Sequence, residues 1–185
     1  MIVEEMQPAG LKLVKLGLKG DQRGFFVERY KRSEFEAAGL PTSYLQVNHS
    51  RSAPGVLRGV HYQYSPAQGK LVGVTRGRVW DVAVDLRPDS VTFGQSFGVE
   101  LSDVNAQLLW IPTGFGHGFL VTGDGPADVV YQTTSEYNSA TEGGIIWNDP
   151  DLAIEWPFDN PQLSVRDAVL PSFAEYRAHP PQWAE

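Results

Sequence analysis

Two histidines stand inside apolar, β-branched, glycine-punctuated runs: His61 within residues 55–70 and His117 within residues 111–121. Around His61 come Arg58, Gln63 and Lys70, an unusual polar load among Val56, Leu57 and Val60. Asp81 adds a carboxylate to a later run of the same kind. Polar groups on a buried surface lose free energy unless something pairs with them. Ionised groups that share a buried site pair with each other or hold a charged ligand. Two such sets, widely separated in the chain, point to one polar pocket inside a β-barrel.

Strict strand alternation sets His61 and Gln63 on one face and Arg58 and Val60 on the other, unless Gly59 introduces a bulge that re-aims the arginine. Asp81 and Asp85 share a face opposite Val82 and Val84. That face is either solvated or turns a carboxylate toward Lys70 or Arg58 inside the barrel. Tyr131 and Tyr137 share a strand face if the strand runs that far. Phenols that point into a pocket serve as proton donors or stacking platforms.

These groups need strands to carry them. Residues 11–18 alternate apolar and basic side chains, as a strand with one wet face does. Residues 19–23 read as a turn and 24–30 as a second strand. Residues 33–39 read as a short helix, with Ser33 as cap, Glu36 three positions on and Gly39 as stop. Residues 45–50 alternate again, with Gln46, Asn48 and Ser50 on one side. Seven runs follow, at 56–63, 71–75, 78–86, 96–101, 106–111, 118–121 and 128–134. Strands at such spacing, without intervening helices, predict a sandwich or barrel. Residues 142–148 and 152–156 read as short edge strands. Residues 172–178 read as one or two helical turns with Glu175 in the capping-box position. No repeat, low-complexity tract or linker divides the chain, which predicts one domain over residues 1–185.

Composition narrows the function classes. The net charge of −7 argues against a general nucleic-acid partner, whose footprint would be a basic surface. A local basic pocket for a small anion stays allowed. The absence of cysteine excludes disulfides, zinc–thiolate sites and a thiol nucleophile. The N-terminus, MIVEEMQPAG, carries acids where a signal peptide needs positive charge. No apolar run approaches the ~20 residues needed to span a bilayer. A cytoplasmic protein without membrane contact is expected.

Ile111-Pro-Thr-Gly-Phe-Gly-His117 resembles the second cupin motif, in which Pro-x-Gly-x-x-His places a metal-binding histidine. The first cupin motif normally supplies His-x-His and a downstream Glu. Here that slot reads His61-Tyr-Gln63, and the later position is Lys70, a cation that would repel a metal. Two histidines do not complete a catalytic metal site, which usually has at least three protein ligands. The expectation is a cupin-like barrel without a metal.

Longer strings resemble one cupin branch, the dTDP-4-dehydrorhamnose 3,5-epimerase family. They include Asp21-Gln-Arg-Gly-Phe-Phe-Val-Glu28, Gln46-Val-Asn-His-Ser50 and Gly55-Val-Leu-Arg-Gly-Val-His-Tyr-Gln63. Gln68-Gly-Lys-Leu-Val72, Asp81-Val-Ala-Val-Asp-Leu-Arg87 and Ser90-Val-Thr-Phe-Gly94 follow. Trp147-Asn-Asp-Pro150 and Ser164-Val-Arg-Asp167 complete the set. The combination of Arg-Gly-x-His-x-Gln with Gln-Gly-Lys-Leu-Val is very specific, and the likeness covers roughly residues 10–170.

The resemblance implies an all-β, cupin-type jelly-roll β-barrel with a few short helices, mainly near the N- and C-termini. It implies a dTDP-linked 4-keto-6-deoxyhexose as substrate, inverted at both carbons beside the ketone through an enolate, with no cofactor required. That chemistry needs a base on one face, an acid on the other and a positive charge or donor at the enolate oxygen. By match to the family, His61 is the base, Asp167 its carboxylate partner, Lys70 the enolate stabiliser and Tyr131 the donor on the opposite face. His117 lies close to the sugar, and Tyr137 stacks on the thymine. Arg23, Glu28, Gln46, Asn48, Arg58, Glu142 and Arg166 match nucleotide-holding positions. The family forms homodimers in which residues near the N-terminus reach the neighbour's pocket. An epimerase inverting one centre and a non-catalytic sugar-nucleotide-binding cupin remain the alternatives.

Overall fold

The computed structural model describes residues 1–184. Two antiparallel sheets face each other. The six-stranded sheet runs β1 (Ile2–Glu5), β2 (Lys12–Lys15), β10 (Gln107–Ile111), β7 (Lys70–Arg76), β12 (Ala127–Thr133) and β5 (Gln46–Ser52). The five-stranded sheet runs β13 (Glu142–Gly144), β6 (Leu57–Gln63), β11 (Phe115–Val121), β8 (Arg78–Asp85) and β9 (Ser96–Ser102). A separate hairpin, β3 (Lys19–Asp21) and β4 (Gly24–Phe26), carries exposed Phe25 and Phe26. Among the described residues, helices are confined to α1 (Arg32–Ala37), α2 (Phe173–Ala178) and a 3₁₀ turn at Asp167–Val169.

The alternation anticipated from the sequence is what closes the core. Val72 and Val74 of β7, Leu109 and Ile111 of β10, and Val129 of β12 point inward. They meet Val79, Ala83 and Phe119 from the opposing sheet. Each fully buried Val or Leu contributes about 1.5–3 kcal/mol. One end of this sandwich is filled with hydrocarbon, and the other is left open and polar. On the outer face of the six-stranded sheet, Phe35 of α1 packs with Val14, Leu71 and Leu108. The C-terminal segment covers the outer face of the five-stranded sheet, where Phe173 and Tyr176 meet Val82, Val84 and Leu86. Ser172 and Glu175 close a reciprocal capping box at α2.

The structure corrects several local expectations. Residues 2–5 form a strand that a short, acid-rich stretch does not announce; it pairs with β2, where Lys15 meets Glu4. The turn expected at 19–23 is shorter. Asp21 pairs with Gly24, leaving Gln22 and Arg23 as the loop, and the Arg23 amide donates to Asp21 Oδ1. Ser33 does not cap α1; Lys31 occupies that position, and no side chain caps it. Residues 152–156 form no strand; the Asp149 carboxylate instead accepts from the Leu152 amide in a turn and from the Phe173 amide of α2. Asp81 and Asp85 both lie on a buried face, the first paired with His117 and the second with Arg87, so neither Lys70 nor Arg58 is the partner. Among the described residues, no helix is long and apolar enough to cross a membrane.

Candidate active site

A cavity of about 480 Å³ opens between the two sheets. From β6 come Arg58 and His61, which simple alternation would send to opposite faces. The ladder to β11 shows how both enter. His117 pairs with His61 and Phe119 with Arg58, so Gly59 and Val60 together oppose Gly118. This β-bulge re-aims Arg58 into the cavity. It requires glycine: Gly59 has φ of +119°, and a Cβ there would sit 2.7 Å from the His117 carbonyl oxygen.

His61 Nε2 lies 2.6 Å from Asp167 Oδ1. Asp167 opens the 3₁₀ turn, and its amide donates to Ser164 Oγ at 3.0 Å. The preceding residues run beside β6: the Leu57 amide donates to the Gln162 carbonyl, and the Gln162 amide to that of Gly55. Burial pushes the Asp167 carboxyl up, but the hydrogen bonds from His61 and Ser164 outweigh it, and the pKa ends below the ordinary range. The carboxylate therefore stays ionised and can only accept. The proton of neutral His61 accordingly sits on Nε2, leaving Nδ1 as the basic nitrogen.

Lys70, at the start of β7, is 8% exposed, and its ammonium donates to the His61 carbonyl at 3.4 Å. Burial pulls its pKa down to about 8, against the opposing pull of Glu142 and Asp81. A second buried pair lies alongside, with His117 Nε2 3.0 Å from Asp81 Oδ2. From β12, on the opposite sheet to His61, Tyr131 faces the same cavity. Burial raises its pKa; Arg58 opposes and Glu142 reinforces that shift. The phenol is protonated at neutral pH.

At the mouth, Tyr137 is 54% exposed, and its hydroxyl donates to Glu142 Oε2 at 2.9 Å. Arg166 meets the same carboxylate at 2.6 Å. Arg58 donates to Ser52 Oγ and Arg51 O, leaving donor capacity free toward the cavity. Asn48 also lines the space, and Gln46 stands behind it, donating to Asn48 Oδ1 and accepting from the Tyr137 amide.

The cavity thus gathers His61, Lys70, Tyr131, Asp167, Asn48, Arg58, His117, Tyr137, Glu142 and Arg166. Arg23 and Glu28 do not enter it. Arg23 is at the hairpin loop paired with Asp21, and Glu28 is exposed just beyond β4. Sequence reasoning passed over Ser50, Gln68, Gln162 and Ser164, which also line the space. Ser50 was visible as the third member of the Gln46–Asn48–Ser50 alternation, and its hydroxyl is buried without a protein partner. Gln162 sits on an irregular segment with no period to betray it. Among the described residues, no group of three or more His, Cys, Asp or Glu side chains could hold a metal ion.

A two-sheet jelly roll with a histidine–carboxylate pair, a half-buried phenol and a buried ammonium around one cavity defines a cupin-type barrel whose groups can take up and deliver protons. The family profile described as dTDP-4-dehydrorhamnose 3,5-epimerase matches residues 5–175. A dTDP-4-dehydrorhamnose 3,5-epimerase from Pseudomonas aeruginosa is 52% identical over 163 residues, 87% of this chain and 90% of that protein. The dTDP-6-deoxy-D-glucose-3,5-epimerase of Legionella pneumophila, solved in complex with dTDP-4-keto-L-rhamnose, is 42% identical with a TM-score of 0.92, covering 100% and 98% of the two chains. A dTDP-4-dehydrorhamnose 3-epimerase from Streptomyces niveus is 40% identical over 179 residues, 90% of this chain and 86% of that one. The chain belongs to the dTDP-4-dehydrorhamnose 3,5-epimerase family of isomerases.

Proposed function

We propose that this chain inverts the two carbons flanking the ketone of dTDP-4-dehydro-6-deoxy-D-glucose, giving dTDP-4-dehydro-L-rhamnose for deoxysugar biosynthesis. The observation that carries this reading is the His61–Asp167 pair lining one cavity with Tyr131 from the opposite sheet and with the Lys70 ammonium, which donates to the His61 carbonyl. His61 takes the proton from the carbon beside the ketone, and the bonding electrons move onto the ketone oxygen as an enolate. Asp167 stabilises the imidazolium so formed, a general-base contribution of about 10²–10⁴ in rate. Lys70 supplies positive charge to the enolate oxygen in a place where water cannot dilute it. Tyr131 delivers a proton from the opposite face and is recharged from solvent, while His61 releases its proton to solvent; the centre is inverted and both groups are restored. Repetition at the second flanking carbon completes the reaction.

At the mouth, Arg58 and Arg166 suit a diphosphate because guanidinium binds phosphate bidentately. Tyr137 offers its exposed ring to the thymine, with Gln46, Asn48 and Glu142 around it. His117, held by Asp81, borders the sugar. In this reading the protein is a homodimer, and the β3–β4 hairpin brings Arg23 and Glu28 to the cavity of a second copy. Phe25 and Phe26, 58% and 61% exposed, support such a docking arm. The same catalytic groups would serve inversion of a single centre. The higher identity to the relative named for both centres, 52% against 40%, supports the double reaction. Incubation with dTDP-4-keto-6-deoxyglucose tests it: the proton couplings of the product should become those of the L-rhamno configuration.

A further inference from the structure

Gln63 is 2% exposed and belongs to none of the roles above. It follows His61 by two positions on β6, opposite Glu142 in the ladder to β13. Its side-chain oxygen accepts from the Asn138 amide at 2.8 Å. Its Nε2 donates to the carbonyls of Pro66 at 2.8 Å and Glu136 at 3.1 Å, with Ser135 Oγ at 3.2 Å sharing the second proton. One amide thus holds peptide groups on both sides of Tyr137. Gln46 Oε1 takes the Tyr137 amide itself, and Gln68 Nε2 donates to the Ser135 carbonyl. A half-exposed tyrosine on a loop would ordinarily sample several backbone conformations. Here the peptide groups around it are fastened, and the principal clamp is rooted on the strand that carries His61.

We infer that Gln63 is a positioning residue for the nucleotide half of the site: it fixes the backbone of residues 135–138 so that the Tyr137 ring stands ready over the cavity mouth. The inference rests on the reading of Tyr137 as the nucleobase platform. Ordering that loop before the ligand arrives removes an entropic penalty from binding. The chemistry at His61 lies outside its reach, since none of its hydrogen bonds goes to His61, Lys70, Tyr131 or Asp167.

Two variants test this in the full-length protein. Gln63→Glu keeps the shape and the acceptor but loses both donors, and Gln63→Met keeps the length but loses every hydrogen bond. Whichever folds with a cooperative melt is measured. Affinity for dTDP and KM for the nucleotide-linked ketosugar should each weaken about tenfold, the scale of buried polar groups left unpaired. The kcat should stay within about twofold, the pattern of lost uniform binding. A 4-keto-6-deoxyhexose 1-phosphate, which lacks the nucleoside, should be turned over equally well by variant and wild type. In a Tyr137→Ala background, the Gln63 change should add less than about twofold, because the two residues act through one contact. A fall in kcat at unchanged KM, an equal loss on the truncated substrate, or full additivity with Tyr137→Ala would overturn the inference. Unchanged dTDP affinity in Tyr137→Ala alone would remove the nucleobase reading beneath it, and that outcome is separately visible.

Discussion

His61 Nε2 and Asp167 Oδ1 lie 2.6 Å apart, joining positions separated by 106 residues. The contact sets the tautomer of the imidazole and gives its charged form a fixed counter-ion. Asp167→Asn preserves the shape but removes the negative charge. We expect kcat to fall by about a hundredfold or more while dTDP affinity is retained. Steady-state kinetics with a parallel dTDP titration would check this; unchanged kcat would deny Asp167 its part.

Tyr131 shares the cavity with His61 from the other sheet, and its half-buried phenol keeps its proton at neutral pH. Tyr131→Phe should therefore impair net inversion more than it slows entry of deuterium at the carbon that His61 deprotonates. Comparing product formation with wash-in by proton NMR separates the two. Equal loss of both would mean that Tyr131 is not simply the reprotonating acid.

Lys70 sets the alkaline behaviour. Its pKa in the folded protein, about 8, lies below the ordinary lysine value of 10.5. Above about pH 8 the folded chain releases a proton that the unfolded chain still binds, so this group's contribution to stability rises with pH toward 10.5. Activity moves the other way, because the charge at the enolate oxygen disappears. We expect log kcat/KM to fall above about pH 8. Lys70→Arg, which stays charged, should shift that limb upward at a lower overall rate. A pH–rate profile in which the limb stays put would assign it to another group.

The bulge at Gly59 is a structural prerequisite for the site. Gly59→Ala would place a methyl 2.7 Å from the His117 carbonyl oxygen, on a backbone with φ of +119°. The expected destabilisation is about 2–4 kcal/mol, with loss of activity because Arg58 and His61 no longer share one face. Thermal melts and dTDP binding would read both effects. A variant as stable and active as wild type would mean that the bulge is not needed.

How much of this was legible beforehand depends on whether the signal was local. Strands such as β7, β8 and β12 announce themselves because alternation and turn residues lie within each segment. β1 does not, since four residues with two acids gain their strand character only from pairing with β2. His61, Lys70 and His117 stood out as polar groups in apolar runs. Asp167 did not: nothing within its own segment marks it, and only the family likeness pointed to a residue that tertiary packing brings beside His61. Which way Asp81 faced was open for the same reason, as its partner His117 arrives from the neighbouring strand β11. Gln63 was conspicuous as a polar residue on an apolar strand, yet its work lies in a loop more than seventy positions away.

The central claim is tested most directly by proton NMR of dTDP-4-keto-6-deoxyglucose incubated with the protein in heavy water. The account predicts deuterium at both carbons beside the ketone, accompanied by the L-rhamno product, and neither in His61→Ala. Deuterium at one carbon only would contradict the double inversion and indicate a single-centre epimerase. No exchange at all would contradict the enolate chemistry and leave a barrel that binds the nucleotide sugar without turning it over.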